Sequence, residues 1–326
     1  IQQASISMGS LGDFDLIHRM QAEVAELPQK AVDFLAAPQV KGGEYTVILD
    51  PVLAGVFVHE AFGHLSEADH VIDSLDEIDL GVEDLVDHTP ELRAQAEAIF
   101  SKFTVGWLYD PPTVAIANQS LGTLQLPSST GGVNWPGGSA DPETGFFYIY
   151  TKTQIGALGM VNNPDRSDMN FIRGRPEGVN PRDASTSIQG FPMIKPPWGR
   201  ITGINMNTGD IVWQIPHGEA PDNIRNHEVL GGMDIGRTGW PGRVGVLVTK
   251  TVIVAGESGL YTTETGEVGA MLRAYDKATG AEVGTVHLPA PQTGSPMTYM
   301  LDDEQYLVLA VSGGGYSGEL RAYKLP

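Results

Sequence analysis

Leu272-Arg-Ala-Tyr-Asp-Lys-Ala-Thr-Gly-Ala-Glu-Val283 is the stretch on which the fold turns. Its first four residues return unchanged as Leu320-Arg-Ala-Tyr323, 48 residues later, and Ile201-Thr-Gly-Ile204 is a weaker copy. Its middle, an Asp/Asn-x-x-Thr-Gly turn, returns in Asn205-Met-Asn-Thr-Gly-Asp-Ile-Val-Trp213 and in Asp141-Pro-Glu-Thr-Gly-Phe-Phe-Tyr148. The Gly of such a turn accepts a positive φ, and the Asp or Asn side chain bonds the turn backbone. Each unit therefore reads as strand, tight turn, strand. A hairpin recurring every about 40–50 residues marks a β-propeller rather than a sandwich with coincidental turns. Segments 157–190 and 214–243 then fall between strands as long insertions, a length usually associated with function or disorder.

The composition agrees with many short strands. The 326 residues include 40 Gly and 22 Pro, and 41% are hydrophobic, enough for a sizeable core. The formal net charge is −20, which argues against nucleic acid and anionic membrane as partners. The acidity is uneven: residues 1–90 hold 17 acidic and 3 basic side chains, residues 91–326 hold 23 and 17. Cys is absent, so neither a disulfide framework nor a thiolate metal ligand is available. No apolar run approaches the ~20 residues that span a bilayer. Ile1-Gln-Gln-Ala4 lacks the basic start and apolar core of a signal peptide, so the expectation is a cytosolic protein or an export signal outside this chain.

Upstream of the repeats the pattern differs. Gln21 to Ala36 carries Val24, Leu27, Ala31, Phe34 and Leu35 at helical spacing, with Pro28 expected to kink it or start a second helix. Tyr45–Leu49 reads as a strand, and Asp50-Pro51 as the cap of a helix carrying Phe57-Val-His-Glu-Ala-Phe-Gly-His64. Residues 69–87 are acidic and read as a junction. Thr89-Pro-Glu-Leu-Arg-Ala-Gln-Ala-Glu-Ala-Ile-Phe100 predicts a helix capped by Thr89, with Pro90 in its first position.

The repeats and their flanks resemble the quinoprotein dehydrogenases. Three stretches carry the likeness: Pro196-Pro-Trp-Gly-Arg-Ile-Thr-Gly-Ile-Asn-Met-Asn-Thr-Gly-Asp-Ile-Val-Trp213, Gly132-Val-Asn-Trp-Pro-Gly-Gly-Ser-Ala-Asp-Pro-Glu-Thr-Gly145, and Gly294-Ser-Pro-Met-Thr-Tyr299 with the following Tyr306–Gly315. The resemblance runs from about Val82 to the C-terminus. It implies a branch that uses pyrroloquinoline quinone (PQQ) and calcium to oxidise sugars or alcohols in the periplasm, on an eight-bladed propeller with the cofactor on its axis. A base would take the hydroxyl proton while hydride passes to the quinone. This chain offers about four blades, without a counterpart for the family's catalytic Asp, its calcium ligands or the Trp under the quinone ring. By the resemblance, Asn134 faces the cofactor's polar edge beside Trp135, and Trp240 lies in a segment that lines the same pocket. Packing between blades is the alternative for Trp135 and Trp198, and the assigned role for Trp213. Asp141 and Asp210 belong to turns rather than to catalysis.

The segment of about residues 20–72 resembles a second family, the TldD/PmbA metallopeptidases, on Ala31–Pro38 and on Tyr45 through His59-Glu-Ala-Phe-Gly-His64 to His70. That likeness implies His59 and His64 as zinc ligands and Glu60 as the general base on zinc-bound water. Two His five apart stand about 140° apart on an ideal helix, so Gly63 has to open the turn. The family's third ligand is a Cys, which this chain lacks; His70 or Glu67 would have to replace it.

The expectation is thus a mainly β protein: a small α/β fragment over residues 1–73, then a partial, about four-bladed quinoprotein-type propeller over 74–326. Its expected function is PQQ-dependent oxidation of a small-molecule sugar or alcohol, with the missing blades supplied by homo-oligomerisation or another chain. The competing readings are a zinc peptidase fragment, which would be cytoplasmic, a non-catalytic propeller that binds partners, and a chimeric product joining two genes near residues 72–82.

Overall fold

The computed structural model describes residues 4, 20–37, 80–106, 111–263 and 265–324. The chain divides into two compact units, 1–48 and 49–326. In the first, helix α1 (Gln21–Leu35) runs unbroken through Pro28, and none of its residues is buried. Pro28 starts no second helix: proline removes one backbone donor, and the 15-residue helix tolerates that loss.

In the second unit, α2 (Pro90–Phe100) begins where its sequence signals place it. Leu92 N donates to Thr89 Oγ1 at 3.2 Å, and Pro90 occupies the first turn, where its missing N–H costs nothing. Leu92 and Ala96 turn inward and join Leu85, Phe191, Met193 and Trp198 in a buried cluster. Trp198 is a core residue, its indole N–H donating to Ile194 O at 3.0 Å.

Three antiparallel meanders follow. The first comprises β1 (Gly138–Asp141), β2 (Phe146–Lys152), β3 (Gly199–Asn205) and β4 (Asp210–Pro216), paired in that order. The second comprises β5 (Leu247–Val248), β6 (Val252–Gly256), β7 (Val268–Asp276) and β8 (Glu282–Leu288), with a short strand Tyr261–Thr262 added to β7. The third comprises β9 (Met297–Leu301), β10 (Glu304–Gly313) and β11 (Tyr316–Lys324). Ile201, Leu272 and Leu320, which open the three copies of the repeat, all fall on the third strand of their meander. The repeat therefore marks the same rung each time, which is the register of propeller blades.

The meanders stack face to face. Tyr148, Tyr150 and Ile201 of the first share a core with Ile253, Ala255 and Tyr275 of the second. Val254, Leu272 and Leu288 of the second share another with Leu307, Leu309 and Val311 of the third. Among the described residues no sheet closes on itself, so the fold is a partial propeller: two four-stranded blades and a three-stranded one. Before and inside the insertion after β2, short pairs such as Thr123–Gln125 with Gly156–Leu158 form a separate small β region.

The three Thr-Gly turns lie together. The Thr144 and Thr208 turns close hairpins of the same blade, side by side, with Met206 N donating to Gly145 O at 2.8 Å. The Thr279 turn belongs to the next blade and meets them. Lys277 Nζ donates to Asp141 Oδ2 at 2.6 Å, and Lys277 O accepts from Tyr148 Oη at 3.0 Å and Trp213 Nε1 at 3.2 Å. The Trp213 ring lies against Gly203 of its own blade and Gly280 of the next, where an added Cβ would come within 2.5 and 2.8 Å of it. Its role is blade packing.

Candidate functional site

Strand order separates the two ends of the blades. One end carries tight turns: 142–145, 206–209, 249–251, 277–281 and 302–303. The other carries the long connections, 153–198, 217–246 and 257–267, together with the segments that lead into β1 and β9. Loops held by a rigid scaffold are where binding side chains gather. Asn134, Trp135 and Trp240 all belong to this second end.

Asn134 and Trp135 lie in the turn before β1. Asn134 Nδ2 donates to Thr130 O at 3.3 Å, and its Oδ1 accepts from Trp135 N at 3.0 Å. Gly137, at φ +63°, closes the turn by donating to Asn134 O. Beneath it the buried Lys152, at the end of β2, donates to Thr130 Oγ1 at 2.8 Å and to Gly132 O through its backbone. The turn is thus braced from below, while the Trp135 ring is 88% exposed. Of the two roles open to Trp135, packing between blades does not apply to a ring so placed.

Trp240 sits on a different connection, the one leaving β4. Its carbonyl accepts from the Tyr150 hydroxyl and from Ser258 Oγ at 3.2 Å, and its N–H donates to His217 O at 3.1 Å. The ring is pressed on Gly259, where a Cβ would fall 2.0 Å from it. No hydrogen bond or ring contact joins Trp240 to Asn134 or Trp135 among the described residues. Tyr150, two positions before Lys152 on β2, is the link between the two loops.

Sequence reasoning missed a buried polar network at this end. Arg273 on β7 is 3% exposed; it donates Nε to Glu257 Oε1 at 2.7 Å, Nη1 to Glu282 Oε2 at 2.7 Å and Nη2 to Glu219 Oε1 at 2.8 Å. Arg237 bridges Glu219 and Glu282 at 3.0 and 2.9 Å. Burial raises the Glu257 carboxyl above its usual range, against the pull of Arg273. Beside them His217 is enclosed, and burial pushes it down to about 4. A neutral ring explains its bonds: Nε2–H donates to Gly256 O at 3.1 Å and Nδ1 accepts from Tyr275 Oη at 2.9 Å. The signal was present but ambiguous. The repeat carries Arg twice, yet Arg321 is partly exposed and pairs with Glu319, while Arg273 is buried.

Asp141 stands at the opposite end. The hydrogen bonds from Lys277 and Thr144 hold its carboxyl down at about 2, and Glu143 N donates to its other oxygen. It is a turn residue, as is Asp210, whose N–H donates to Thr208 Oγ1. No group of three or more His, Asp or Glu side chains among the described residues is arranged to hold a metal ion. His59, Glu60 and His64, with Glu67 and His70, lie outside the described residues.

A family model for the β-propeller domain of PQQ glucose/ethanol/alcohol dehydrogenases matches residues 70–307. The chain belongs to this family. Quinoprotein glucose dehydrogenase A of Acinetobacter calcoaceticus is 27% identical over 246 residues, which is 70% of this chain and 28% of that protein. A quinohemoprotein alcohol dehydrogenase structure from Pseudomonas putida HK5 aligns with 60% of this chain and 24% of its own at 18% identity, with a TM-score of 0.40. The quinoprotein chain described here thus spans about a quarter of these relatives. A metalloprotease of Synechocystis sp. is 41% identical over 76 residues, 23% of this chain and 16% of that protein.

Proposed function

We propose that this quinoprotein segment forms part of a PQQ-dependent dehydrogenase that oxidises a hydroxyl of a sugar or alcohol, in the periplasm. The observation that carries the proposal is the loop before β1, where a braced amide, Asn134, adjoins an indole, Trp135, exposed at the long-loop end of the blades. A planar tricarboxylate needs aromatic faces and fixed donors, and these residues fit one edge of it. Asn134 would donate to its polar edge, Trp135 would cover a face, and Trp240, locked by Tyr150 and Ser258, would wall the pocket. Lys152 would hold the loop in place. PQQ, when bound, supplies the two-electron acceptor. The described residues do not fit the calcium that usually accompanies PQQ, since no carboxylate cluster is in place for it. Asp141 is not the base, because both its oxygens are engaged at the opposite end of the blades. Calcium ligands and base are assigned to the remaining part of the propeller.

Titration of the chain with PQQ, followed by tryptophan fluorescence, tests this reading. Saturable quenching that Trp135→Ala and Asn134→Ala weaken supports it; quenching that neither substitution changes removes Asn134 and Trp135 from the site. Dye-linked alcohol or glucose oxidation in the presence of calcium is expected only once the missing blades are supplied.

The metalloprotease likeness favours a second reading for the N-terminal segment, with the boundary between the two parts near residue 73. There His59 and His64 would hold zinc and Glu60 would act as base. Stoichiometric zinc that disappears in His59→Ala supports it, and a metal-free protein ends it.

A further inference from the structure

We infer that the insertion after β2 builds a second binding site, one for a small oxyanion-bearing molecule with an apolar body. A cavity of about 580 Å³ opens there, lined by Arg166, Arg173 and Arg175 over Phe103, Leu121 and Val179. The size is that of a small-ligand pocket. Asn134, Trp135 and Trp240 do not line it, so it is separate from the site assigned to PQQ.

The charge pattern is the first argument. In a chain of net charge −20, three arginines line one cavity, and none has a hydrogen-bonded or ion-paired side-chain partner among the described residues. Carboxylates are close in sequence, at Asp165, Asp168 and Glu177, yet none of them lines the cavity. Asp183 pairs elsewhere, with Lys102 at 3.5 Å. Arg237, Arg273 and Arg321 behave differently: each pairs with Glu.

The second argument is rigidity. Arg173 is fixed in a short ladder opposite Met160, and Arg175 is two residues on. Gly174 between them donates to Gly159 O at 2.9 Å. A Cβ on Gly159 would meet the carbonyls of Gly174 and Leu121 at 2.8 Å, and one on Gly174 would meet Val161 at 2.5 Å. Two glycines thus let backbone segments touch, which sets the spacing of the arginines on either side. Pro176 stiffens the exit. Guanidinium forks match the geometry of carboxylate and phosphate, and Phe103, Leu121 and Val179 give a small apolar body something to rest on.

Calorimetric titration of the full chain with benzene-1,3,5-tricarboxylate at low ionic strength tests the inference. Expected are saturable binding, weakening with added salt, and a loss of about tenfold or more in affinity in Arg173→Gln with Arg175→Gln. Ala184→Glu, which adds a negative charge to the lining without removing an arginine, is expected to weaken binding as well, and an unchanged thermal melt shows that each variant folds. Competition by inorganic phosphate supports a general oxyanion site. Trp135→Ala should bind the tricarboxylate as the parent does, so failure of the PQQ reading leaves this result standing. Absence of binding, binding that the arginine substitutions leave unchanged, or equal binding of neutral benzene-1,3,5-trimethanol overturns the inference.

Discussion

Trp135 and Trp213 have the same side chain and opposite uses. Trp213 spans two blades, held by Lys277 O and seated on Gly203 and Gly280. Trp213→Ala is expected to destabilise the chain by about 2–4 kcal/mol in urea unfolding, since it empties a contact between blades. Trp135, 88% exposed, is expected to change stability by less than about 0.5 kcal/mol when replaced by Ala, with its effect confined to PQQ quenching. His217 gives a residue-scale pH prediction. Its folded value of about 4 lies below the 6.5 of a free imidazole, so the unfolded chain takes up the proton first as pH falls. Stability from this group is complete above 6.5 and is lost as pH drops towards 4. Thermal melts across that window should show a declining midpoint, and His217→Gln should lower the midpoint at neutral pH while flattening the slope.

Strand β7 carries the costliest element-level arrangement, an arginine buried among three glutamates. Arg273→Ala leaves Glu257 enclosed without its partner, and a loss of about 3–5 kcal/mol is expected. The double variant with Glu257→Leu should lose less than the sum of the two single changes, since neither stranded charge then remains. Denaturant midpoints of the three variants check this. How much of this was legible depends on the residue. Thr89 and Pro90 announced α2 because capping is local chemistry. The recurring Leu-Arg-Ala-Tyr announced a strand in each of two blades because register is periodic. The pairing of Glu219, Glu257 and Glu282 with Arg273 was not readable, because it depends on strands brought together from distant parts of the chain. Likewise Asn134 and Trp135 are named by resemblance alone, while the bracing by Lys152 and the cavity with its arginines appear only once the chain is folded.

Among the described residues the propeller is left open. The described part of β11 has a neighbour on one side only, and its Leu320 is 75% exposed. Such an edge is a template for another strand. Light scattering after size exclusion is expected to show self-association that rises with concentration, and Leu320→Lys should reduce it. A concentration-independent monomer would refute this expectation. The first two blades are fastened at both ends. Lys277, Asp141, Tyr148 and Trp213 rivet them at the tight-turn end, and His217, Glu219 and Arg237, on the connection leaving the first, are tied to Tyr275, Arg273 and Glu282 of the second. The pair should therefore move as one body, with motion left to the exposed turn that carries Trp135. Backbone amides around Gly280 ought to resist deuterium long after those near Gly137 have exchanged.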